Sequence, residues 1–455
     1  MMKLGGLGRK SAAAAGKESH GSRIFFAVAG SAITPLMSLA TAPILAQFLG
    51  VSGRGELAAG TAPMLFAVAV GTLGMPEALT FYIAKQARGA RRAVLRAFGI
   101  LTVLGAIAGI LVALGAPVLA DGNTEVEQLI MTTAVLTIPT FWAAIPNSVL
   151  AGTHAWKRSA VMDLVLSVFR LVLLSALAVS GHLVPLTATF VMLGLPLVKG
   201  FMTLPHLVGY LRGTGNVTAK RVRLLNYGSR LWVGSLAGVM LLRLDQLLMI
   251  PLAGPAQLGL YAVAVSLGEV PAALAGAVRN VVFSSDAESS PDRDDTHRLQ
   301  QTARLTSAAA GLVSIGIASV LPWAIPMFFG ASFGDAISVA WVILAAVTLG
   351  TAGSVAGAGL SARGRPGLRS WGMVVGAIAN TAVLFMTVPA LGAMGAALST
   401  LVGNVVAGTM NILWLRTHFG MGFRGFYGLR SQDFQLVLQT LARTTGKKKV
   451  HAFSN

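Results

Sequence analysis

The sequence predicts an all-α membrane protein with twelve transmembrane helices, arranged as two six-helix bundles related by a parallel repeat. Three observations support this fold class. The hydrophobic residues form runs long enough to span a bilayer, the basic residues cluster in every second gap between these runs, and a glycine-containing motif occurs in both halves. Of the 455 residues, 55% are hydrophobic and only 11% are charged, whereas roughly a quarter of a soluble protein is charged.

The hydrophobic runs predict helices because each is long enough to cross a hydrocarbon core of ~30 Å. They are too long for the strands of a membrane barrel, and a spanning backbone must satisfy its own hydrogen bonds. The predicted helices cover residues 24–49, 57–84, 95–120, 128–151, 159–180, 183–209, 228–252, 257–281, 303–328, 333–360, 367–390 and 393–416.

These helices define the expected domain organisation. Residues 24–209 are predicted to form the first six-helix bundle and residues 228–416 the second, joined by a cytoplasmic linker at 210–227. Residues 1–22 are rich in Ala, Gly and Ser, and we expect a disordered basic tail there. Residues 417–455 are predicted to form a second basic tail.

The basic residues alternate with the helices in the way that the positive-inside rule describes. One set of gaps is basic, and Arg54 is the single base of the other set. We therefore expect a bacterial inner-membrane protein with both termini in the cytoplasm. The net charge of +19 is then directed at anionic membrane lipids rather than at nucleic acid. The basic gaps contain Lys85, Arg88, Arg91, Arg92, Arg96, Lys157, Arg158, Arg212, Lys220, Arg221, Arg223, Arg279, Arg293, Arg298, Arg304, Arg363, Arg365 and Arg369.

A repeated motif relates the two halves of the chain. Residues 49–59 follow the first predicted helix and residues 253–263 follow the seventh. When Gly50 is placed on Gly254, Gly55 falls on Gly259, so each half has a tight turn followed by a glycine in the next helix. Such six-plus-six repeats are typical of transporters that bind substrate between their halves. The alternative interpretation is that glycine turns recur by coincidence in helical membrane proteins.

Several classes of function are excluded by missing motifs. The chain has no Cys, so disulfides and Cys-ligated metals are excluded. The sequence around Lys17 lacks the glycine and the hydroxyl residue of a Walker A motif, and the seven His residues show no metal-binding spacing. We therefore expect no enzyme, no metal site and no cofactor.

A small set of ionisable residues lies inside the predicted helices and carries the functional hypothesis. A charge at a helix centre costs about 2.5–3.5 kcal/mol on insertion scales, so one that faces lipid alone is disfavoured. Of the 35 Lys and Arg residues, three are predicted to be buried away from the helix ends. The candidates are the bases Arg170, Lys199 and Arg243, the acids Glu77, Asp163, Asp245 and Glu269, and Gln246.

The seventh predicted helix is the most informative of these segments. Arg243 and Asp245 are two residues apart, about 200° around a helix, so they cannot pair on one face, whereas Arg243 and Gln246 share a face. Two interpretations follow. Either an Arg243 ion pair with Glu269 or Asp245 locks two helices, or Arg243 lines a cavity for an anionic substrate while an acid serves proton or sodium coupling.

The other two predicted buried bases, on neighbouring helices, also have two interpretations each. Lys199 either snorkels to the cytoplasmic interface or lines a cavity together with Arg170. Asp163 is interpreted as a simple interface acid. Glu77 follows Pro76, and a kink there would expose a hydrated carboxylate. We assign Arg170, Lys199, Arg243 and Gln246 to substrate binding, and Asp245, Glu269 and Glu77 to coupling or charge pairing.

A family resemblance rests on two segments. The first runs from Leu49 to Lys85 and contains Gly-Arg-Gly-Glu-Leu and Gly-Met-Pro-Glu-Ala; the second contains Arg-Leu-Asp-Gln at 243–246, Gly-Leu-Tyr-Ala-Val-Ala at 259–264, and Glu269. In these segments the chain resembles bacterial lipid-linked oligosaccharide flippases of the multidrug/oligosaccharidyl-lipid/polysaccharide exporter superfamily. The resemblance covers residues 24–416.

This resemblance implies a V-shaped pair of bundles with a central cavity that opens alternately to either side, coupled to an ion gradient. The implied cargo is an undecaprenyl-diphosphate-linked oligosaccharide, moved to the outer leaflet for capsule, exopolysaccharide or O-antigen assembly. The implied partners are a polysaccharide polymerase and a chain-length regulator. Arg243, Asp245 and Glu269 lie where the resemblance is best, whereas Arg170 and Lys199 are inferred from burial alone.

Other transporters remain as alternatives. A multidrug antiporter of the same superfamily favours an acidic cavity, and a peptidoglycan-precursor lipid flippase often has extra helices. A major-facilitator transporter carries an Asp-Arg pair before the basic residues of its 2–3 loop, and residues 86–92 contain no acid. A scaffold or polymerase subunit predicts long outer loops, which the hydrophobic pattern does not contain.

Overall fold

The structure, a computed structural model, describes residues 20–85, 90–153, 155–213, 224–288, 293–428, 430 and 433. Residues 1–19 and 434–455 of the predicted tails, and residues 214–223 of the predicted linker, lie outside the described residues. Within the described ranges the chain is helical and contains no β-strand.

We number the α-helices α1 to α11 in chain order. Short π- and 3₁₀-helical segments follow α8, at Ile325–Phe329 and Ala331–Phe333, and another follows α11, at Phe423–Phe426. The helices are α1 (His20–Gly71), α2 (Met75–Lys85), α3 (Ala90–Ala120), α4 (Thr124–Gly152), α5 (Trp156–Val179), α6 (Pro185–Gly213), α7 (Leu224–Glu288), α8 (Arg293–Ala324), α9 (Ala336–Ala362), α10 (Pro366–Leu391) and α11 (Ala393–Phe419).

Helices α1 and α7 each provide two membrane crossings. Straight helices of 52 and 65 residues would be about 78 Å and 98 Å long, far beyond a core of ~30 Å. Both are kinked at a glycine with non-helical backbone angles, Gly50 at φ 70°, ψ −177° and Gly254 at φ 81°, ψ 172°. With one crossing for each arm of α1 and α7, and one for each of α3–α6 and α8–α11, the described helices make twelve crossings. The prediction of an all-α, twelve-helix membrane protein is confirmed.

The second predicted helix is interrupted just before Pro76, next to the position where the sequence analysis considered a kink. Helix α1 ends at Gly71 and α2 begins at Met75, with Gly74 at φ 68° in the turn between them. The carbonyl of Val70, in the last turn of α1, accepts hydrogen bonds from the backbone N–H of Leu73 at 3.4 Å and from Trp232 Nε1 at 2.5 Å. A break inside a membrane span is tolerated when neighbouring groups satisfy the freed backbone in this way.

The chain divides into two compact units, with the boundary between Trp232 and Val233. In unit 1, α3 packs on α4, α4 on α6, and α5 on α6. In unit 2 the corresponding pairs pack in the same way: α8 on α9, α9 on α11, and α10 on α11. The matching pairs and the matching backbone angles of Gly50 and Gly254 support the repeat that the sequence predicts.

Small residues bring the helices of unit 2 close together. A Cβ atom on Gly353 of α9 would overlap the backbone of Gly408 in α11, and a Cβ on Gly376 of α10 would crowd Ala407. Backbones that approach this closely gain dispersion contacts, which substitute for the hydrophobic effect inside a bilayer.

The last described residues fold back onto unit 2. Phe426 is fully buried in a cluster with Leu299, Leu360 and Leu415. The sequence analysis counted Arg304 among the bases of a cytoplasmic gap, at the start of the predicted helix 303–328, whereas α8 begins at Arg293 and Arg304 lies in its interior. Its guanidinium binds the buried carboxylate of Asp433 through two contacts of 2.7 Å.

Candidate functional site

The structure brings together two of the predicted substrate-binding bases in unit 1. Arg170 of α5 and Lys199 of α6 line one cavity of about 260 Å³. Both residues lie in the middle of their helices, well away from the ends. The polar lining of this unit-1 cavity consists of Asn147, Asp163, Ser167, Arg170 and Lys199.

Lys199 and Asp163 form an ion pair with each other, a contact that the sequence analysis did not predict. Lys199 Nζ lies 2.7 Å from Asp163 Oδ1, and their side chains are 15% and 28% exposed. Ser159 supports the pair, because Lys199 Nζ donates to its hydroxyl at 3.2 Å. The pair satisfies the rule that charges inside a membrane find partners.

Bases outnumber acids in the lining of the unit-1 cavity. Its ionisable lining residues are Arg170, Lys199 and Asp163, which sum to one positive charge (two bases minus one acid). A lining of this composition favours a ligand with negative charge, because guanidinium and ammonium groups form charge-assisted hydrogen bonds with oxyanions.

In unit 2, Arg243 and Asp245 face different environments. Asp245 is buried, with 3% of its surface exposed, whereas Arg243 is exposed. Two residues correspond to about 200° around a helix, which explains the separation. The expectation that Arg243 is buried is therefore wrong, because hydrophobicity along a sequence reports the depth of a residue but not the face on which it lies.

Asp245 is the centre of a buried hydrogen-bond network. Tyr261 donates its hydroxyl to Asp245 Oδ2 in a short hydrogen bond. Thr400 Oγ1 donates to the same oxygen at 3.3 Å, and the backbone N–H of Gln246 donates to Oδ1 at 2.7 Å. The Asp245 oxygens are thus engaged by donors from the second arm of α7 and from α11.

The sequence analysis missed both hydroxyl partners of Asp245. Tyr261 lies in the second copy of the repeated motif, where it is a hydroxyl-bearing residue among small apolar ones, and this was an available signal. Thr400 lies 155 residues from Asp245 along the chain. No local pattern around Thr400 indicates that contact.

The remaining predicted acids, Glu77 in unit 1 and Glu269 in unit 2, differ in exposure. Glu77 is exposed in the first turn of α2. Glu269 is half-buried in the second arm of α7.

The sequence analysis counted Arg279 and Arg369 among the bases of the cytoplasmic gaps, at the ends of the predicted helices 257–281 and 367–390. In the structure α7 extends to Glu288 and α10 begins at Pro366. Both side chains line a separate cavity in unit 2.

Comparison with known proteins adds a family match. Residues 44–338 match the model of a family described as polysaccharide biosynthesis protein. No curated protein sequence matches the chain significantly.

Solved membrane transporters share the fold. A lipid II flippase, MurJ, in an inward closed conformation, has a TM-score of 0.70 at 13% identity, covering 93% of each chain. An inward-facing multidrug resistance MATE family transporter of the MOP superfamily has a TM-score of 0.68 at 16% identity, covering 85% of this chain and 94% of the transporter. A MOP superfamily transporter from Pyrococcus furiosus has a TM-score of 0.54 at 16% identity, covering 87% and 94%. At these identities the likeness concerns the fold.

Proposed function

The chain belongs to the polysaccharide biosynthesis protein family, and we propose that it is a flippase for an undecaprenyl-diphosphate-linked oligosaccharide. It moves this lipid from the cytoplasmic to the outer leaflet for assembly of a cell-surface polysaccharide. The proposal places it in the bacterial inner membrane with both termini in the cytoplasm, as the alternating basic loops indicate. A polysaccharide polymerase and a chain-length regulator are the partners that such a pathway implies.

The observation that carries the proposal is the cationic lining of the unit-1 cavity. A diphosphate group brings several negatively charged oxygens to mid-membrane depth, where each would otherwise lose its hydration. Arg170 presents a planar guanidinium that matches the oxygens of a phosphate group, while Lys199 supplies a compact ammonium beside it. Together they offset the desolvation of the diphosphate as it crosses the bilayer.

Arg243 provides a further cation for the same cargo. Eleven residues separate it from Gly254, which places it about 16 Å along the helix from the kink, near the middle of a crossing. Its exposed guanidinium must contact water or an anion there, because hydrocarbon does not solvate a charge. In the proposed cycle it binds the cargo, with Gln246 as a neutral polar neighbour.

Coupling to an ion gradient is assigned to Asp245. Its carboxylate is buried and surrounded by the hydroxyls of Tyr261 and Thr400. Protonation or sodium binding at this carboxylate would change its hydrogen bonds to two helices at once, the second arm of α7 and α11. That change gives an ion gradient a physical means of biasing one conformation of unit 2 over another.

Charge separates this proposal from a multidrug antiporter. Such an antiporter for cationic drugs requires an acidic cavity, whereas bases outnumber acids in the lining of the unit-1 cavity. A peptidoglycan-precursor flippase carries the same lipid diphosphate. Its cargo differs from the proposed one in the attached sugar, and the cation site does not distinguish the two.

The proposal is tested by replacing Arg170 with Gln in cells that depend on the chain for polysaccharide export. Loss of a charge-assisted hydrogen bond costs about 1.5–3 kcal/mol, a roughly tenfold or greater loss of affinity. We expect Arg170→Gln and Arg243→Ala to abolish export and to cause accumulation of lipid-linked oligosaccharide, at normal levels of inserted protein.

Arg416→Gln is the matched control, because Arg416 is exposed in the last turn of α11. Its export should equal that of the wild type. If Arg170→Gln and Arg243→Ala both export polysaccharide at the wild-type rate, these two residues do not bind the cargo.

A further inference from the structure

Two arginines from distant parts of the chain share a small cavity in unit 2. Arg279 lies in the second arm of α7 and Arg369 in the first turn of α10, and together they line a cavity of about 130 Å³. Successive crossings alternate in direction, so the end of α7 and the start of α10 lie on the same side of the membrane. The other polar lining residues of this unit-2 cavity are Ser354, Asn404 and Asn411.

The two guanidinium groups are held close together without an acid between them. Both are half-buried, and they are near enough for the charge of Arg279 to act on Arg369. Among the described residues, the lining of this cavity contains no Asp or Glu. Arg279 Nη1 donates to the neutral hydroxyl of Ser354 at 3.2 Å. The two positive charges repel each other in this partly desolvated cavity. An anion bound between them would attract both guanidinium groups and offset that repulsion.

The packing around the arginines fixes their position. A Cβ atom on Gly357 of α9 would lie 3.3 Å from Cγ of Arg369, and one on Gly276 would lie 3.6 Å from Nη2 of Arg279. The absence of a side chain at Gly357 leaves room for Arg369, whereas the separation at Gly276 is an ordinary van der Waals contact. The contact with Ser354 and the close approach of α9 to Arg369 are the observations that favour a preorganised site.

We propose that Arg279 and Arg369 form a binding site for a phosphate-type oxyanion. The planar guanidinium of each arginine offers parallel N–H donors to phosphate oxygens, and Asn404 adds an amide to the lining. The phosphate comes either from the headgroup of an anionic phospholipid or from a soluble or substrate-borne diphosphate. This inference uses neither the unit-1 cavity nor Arg243, so it stands independently of the flippase proposal.

The test uses the full chain in nanodiscs with two lipid compositions. In zwitterionic phosphatidylcholine, inorganic pyrophosphate is titrated while the melting temperature is followed at constant ionic strength. In a second series the nanodiscs also contain phosphatidylglycerol, and native mass spectrometry counts the phosphatidylglycerol molecules that remain bound. The variants are Arg279→Gln and Arg369→Gln, and the control is Arg365→Gln, which changes an exposed base just before α10.

Binding of pyrophosphate, retention of phosphatidylglycerol, or both should be weakened roughly tenfold or more in each cavity variant, and unchanged in the control. Loss in the pyrophosphate series indicates a diphosphate ligand, and loss in the phosphatidylglycerol series alone indicates a lipid headgroup. Equal behaviour of Arg369→Gln and Arg365→Gln in both series would overturn the proposal.

Stability without ligand provides a second readout. In phosphatidylcholine without pyrophosphate, Arg369→Gln removes a repulsion, so it should melt at or above the temperature of the wild type. Whichever of pyrophosphate and phosphatidylglycerol binds at the site should then reverse that order. A variant that already melts well below the wild type without any anion would show that Arg369 serves packing, and would contradict the proposed site.

Discussion

The carboxylate of Asp433 is fully buried, although it lies 129 residues along the chain from its partner Arg304. Arg304 Nε and Nη2 donate to the two carboxylate oxygens, and Nη1 donates to the carbonyl of Gly425 at 2.6 Å. This fork-like contact ties the last described residues to α8. The sequence predicts a basic tail from residue 417 onward and contains no local signal for such a pair.

We expect Asp433→Asn to destabilise the protein by about 3–5 kcal/mol, because it leaves the guanidinium of Arg304 buried without its counter-charge. The difference in melting temperature between the variant and the wild type in detergent measures this effect. The control is Asp335→Asn, which changes an exposed acid before α9. An Asp433→Asn protein as stable as the control would show that the pair does not hold the segment.

The same pair has a defined pH dependence. The hydrogen bond from Arg304 holds the pKa of Asp433 below its ordinary value of 3.8. A lowered pKa in the folded state means that the stabilisation is complete above 3.8 and is lost as the pH falls through the lowered value. The difference in melting temperature between wild type and Asp433→Asn should therefore be the same at pH 7 and pH 5, and it should disappear only below pH 3.8. A gap that closes between pH 7 and pH 5 would contradict this assignment.

Asp245 is the buried carboxylate to which we assign ion coupling. We expect Asp245→Asn to lose export while the protein still inserts, because a neutral amide cannot bind and release an ion. Tyr261→Phe removes one donor to the carboxylate but keeps the carboxylate itself, so it should retain coupling with a shifted pH dependence of export. Export by Asp245→Asn at the wild-type rate, with the wild-type pH dependence, would exclude Asp245 as the coupling group.

At the scale of helices, the sequence predicts crossings better than contacts. A bilayer requires each crossing helix to have a minimum hydrophobic length, and basic residues collect in the cytoplasmic loops. Both features are local, so the sequence was sufficient to place twelve crossings. The pairing of Lys199 with Asp163 depends on how α5 and α6 rotate against each other. Sequence spacing of 36 residues carries no information about that rotation, and the same holds for the exposed face of Arg243.

The glycines at the two kinks are a testable element of the repeat. With φ near +70° to +80° and ψ near 180°, Gly50 and Gly254 occupy a backbone region that is essentially restricted to glycine. No atom lies within 4 Å of a Cβ built at either position. A substitution therefore tests backbone conformation alone, without a steric clash.

We expect Gly50→Ala and Gly254→Ala each to lower stability by about 1–3 kcal/mol, measured as a lower melting temperature of the purified protein. Gly316→Ala is the matched control, since Gly316 is a helical glycine with equally open space around its Cβ position. Alanine is favoured over glycine in a helix interior, so the control should be unchanged or slightly more stable. Similar effects at all three positions would argue against a strained turn at the kinks.

For the whole molecule, the two units share one arrangement of helices but carry different polar sites. Unit 1 contains the cavity of Arg170 and Lys199, and unit 2 contains the Asp245 network and the cavity of Arg279 and Arg369. The sequence indicated the repeat and the bases at 170 and 199. It could not show that Arg279 and Arg369 converge, because the two residues are far apart along the chain and no local pattern links the end of α7 to the start of α10.

The central claim is that this chain moves a lipid-linked oligosaccharide across a bilayer. The most direct measurement reconstitutes the purified protein in vesicles that carry undecaprenyl-diphosphate-linked oligosaccharide and follows how fast its sugar moves between leaflets, using a membrane-impermeant glycosidase. Wild-type protein should expose the inner-leaflet fraction in the presence of an ion gradient, Arg416→Gln should do the same, and Arg170→Gln should be at least roughly tenfold slower. Exposure by the wild-type protein no faster than in protein-free vesicles would contradict the account.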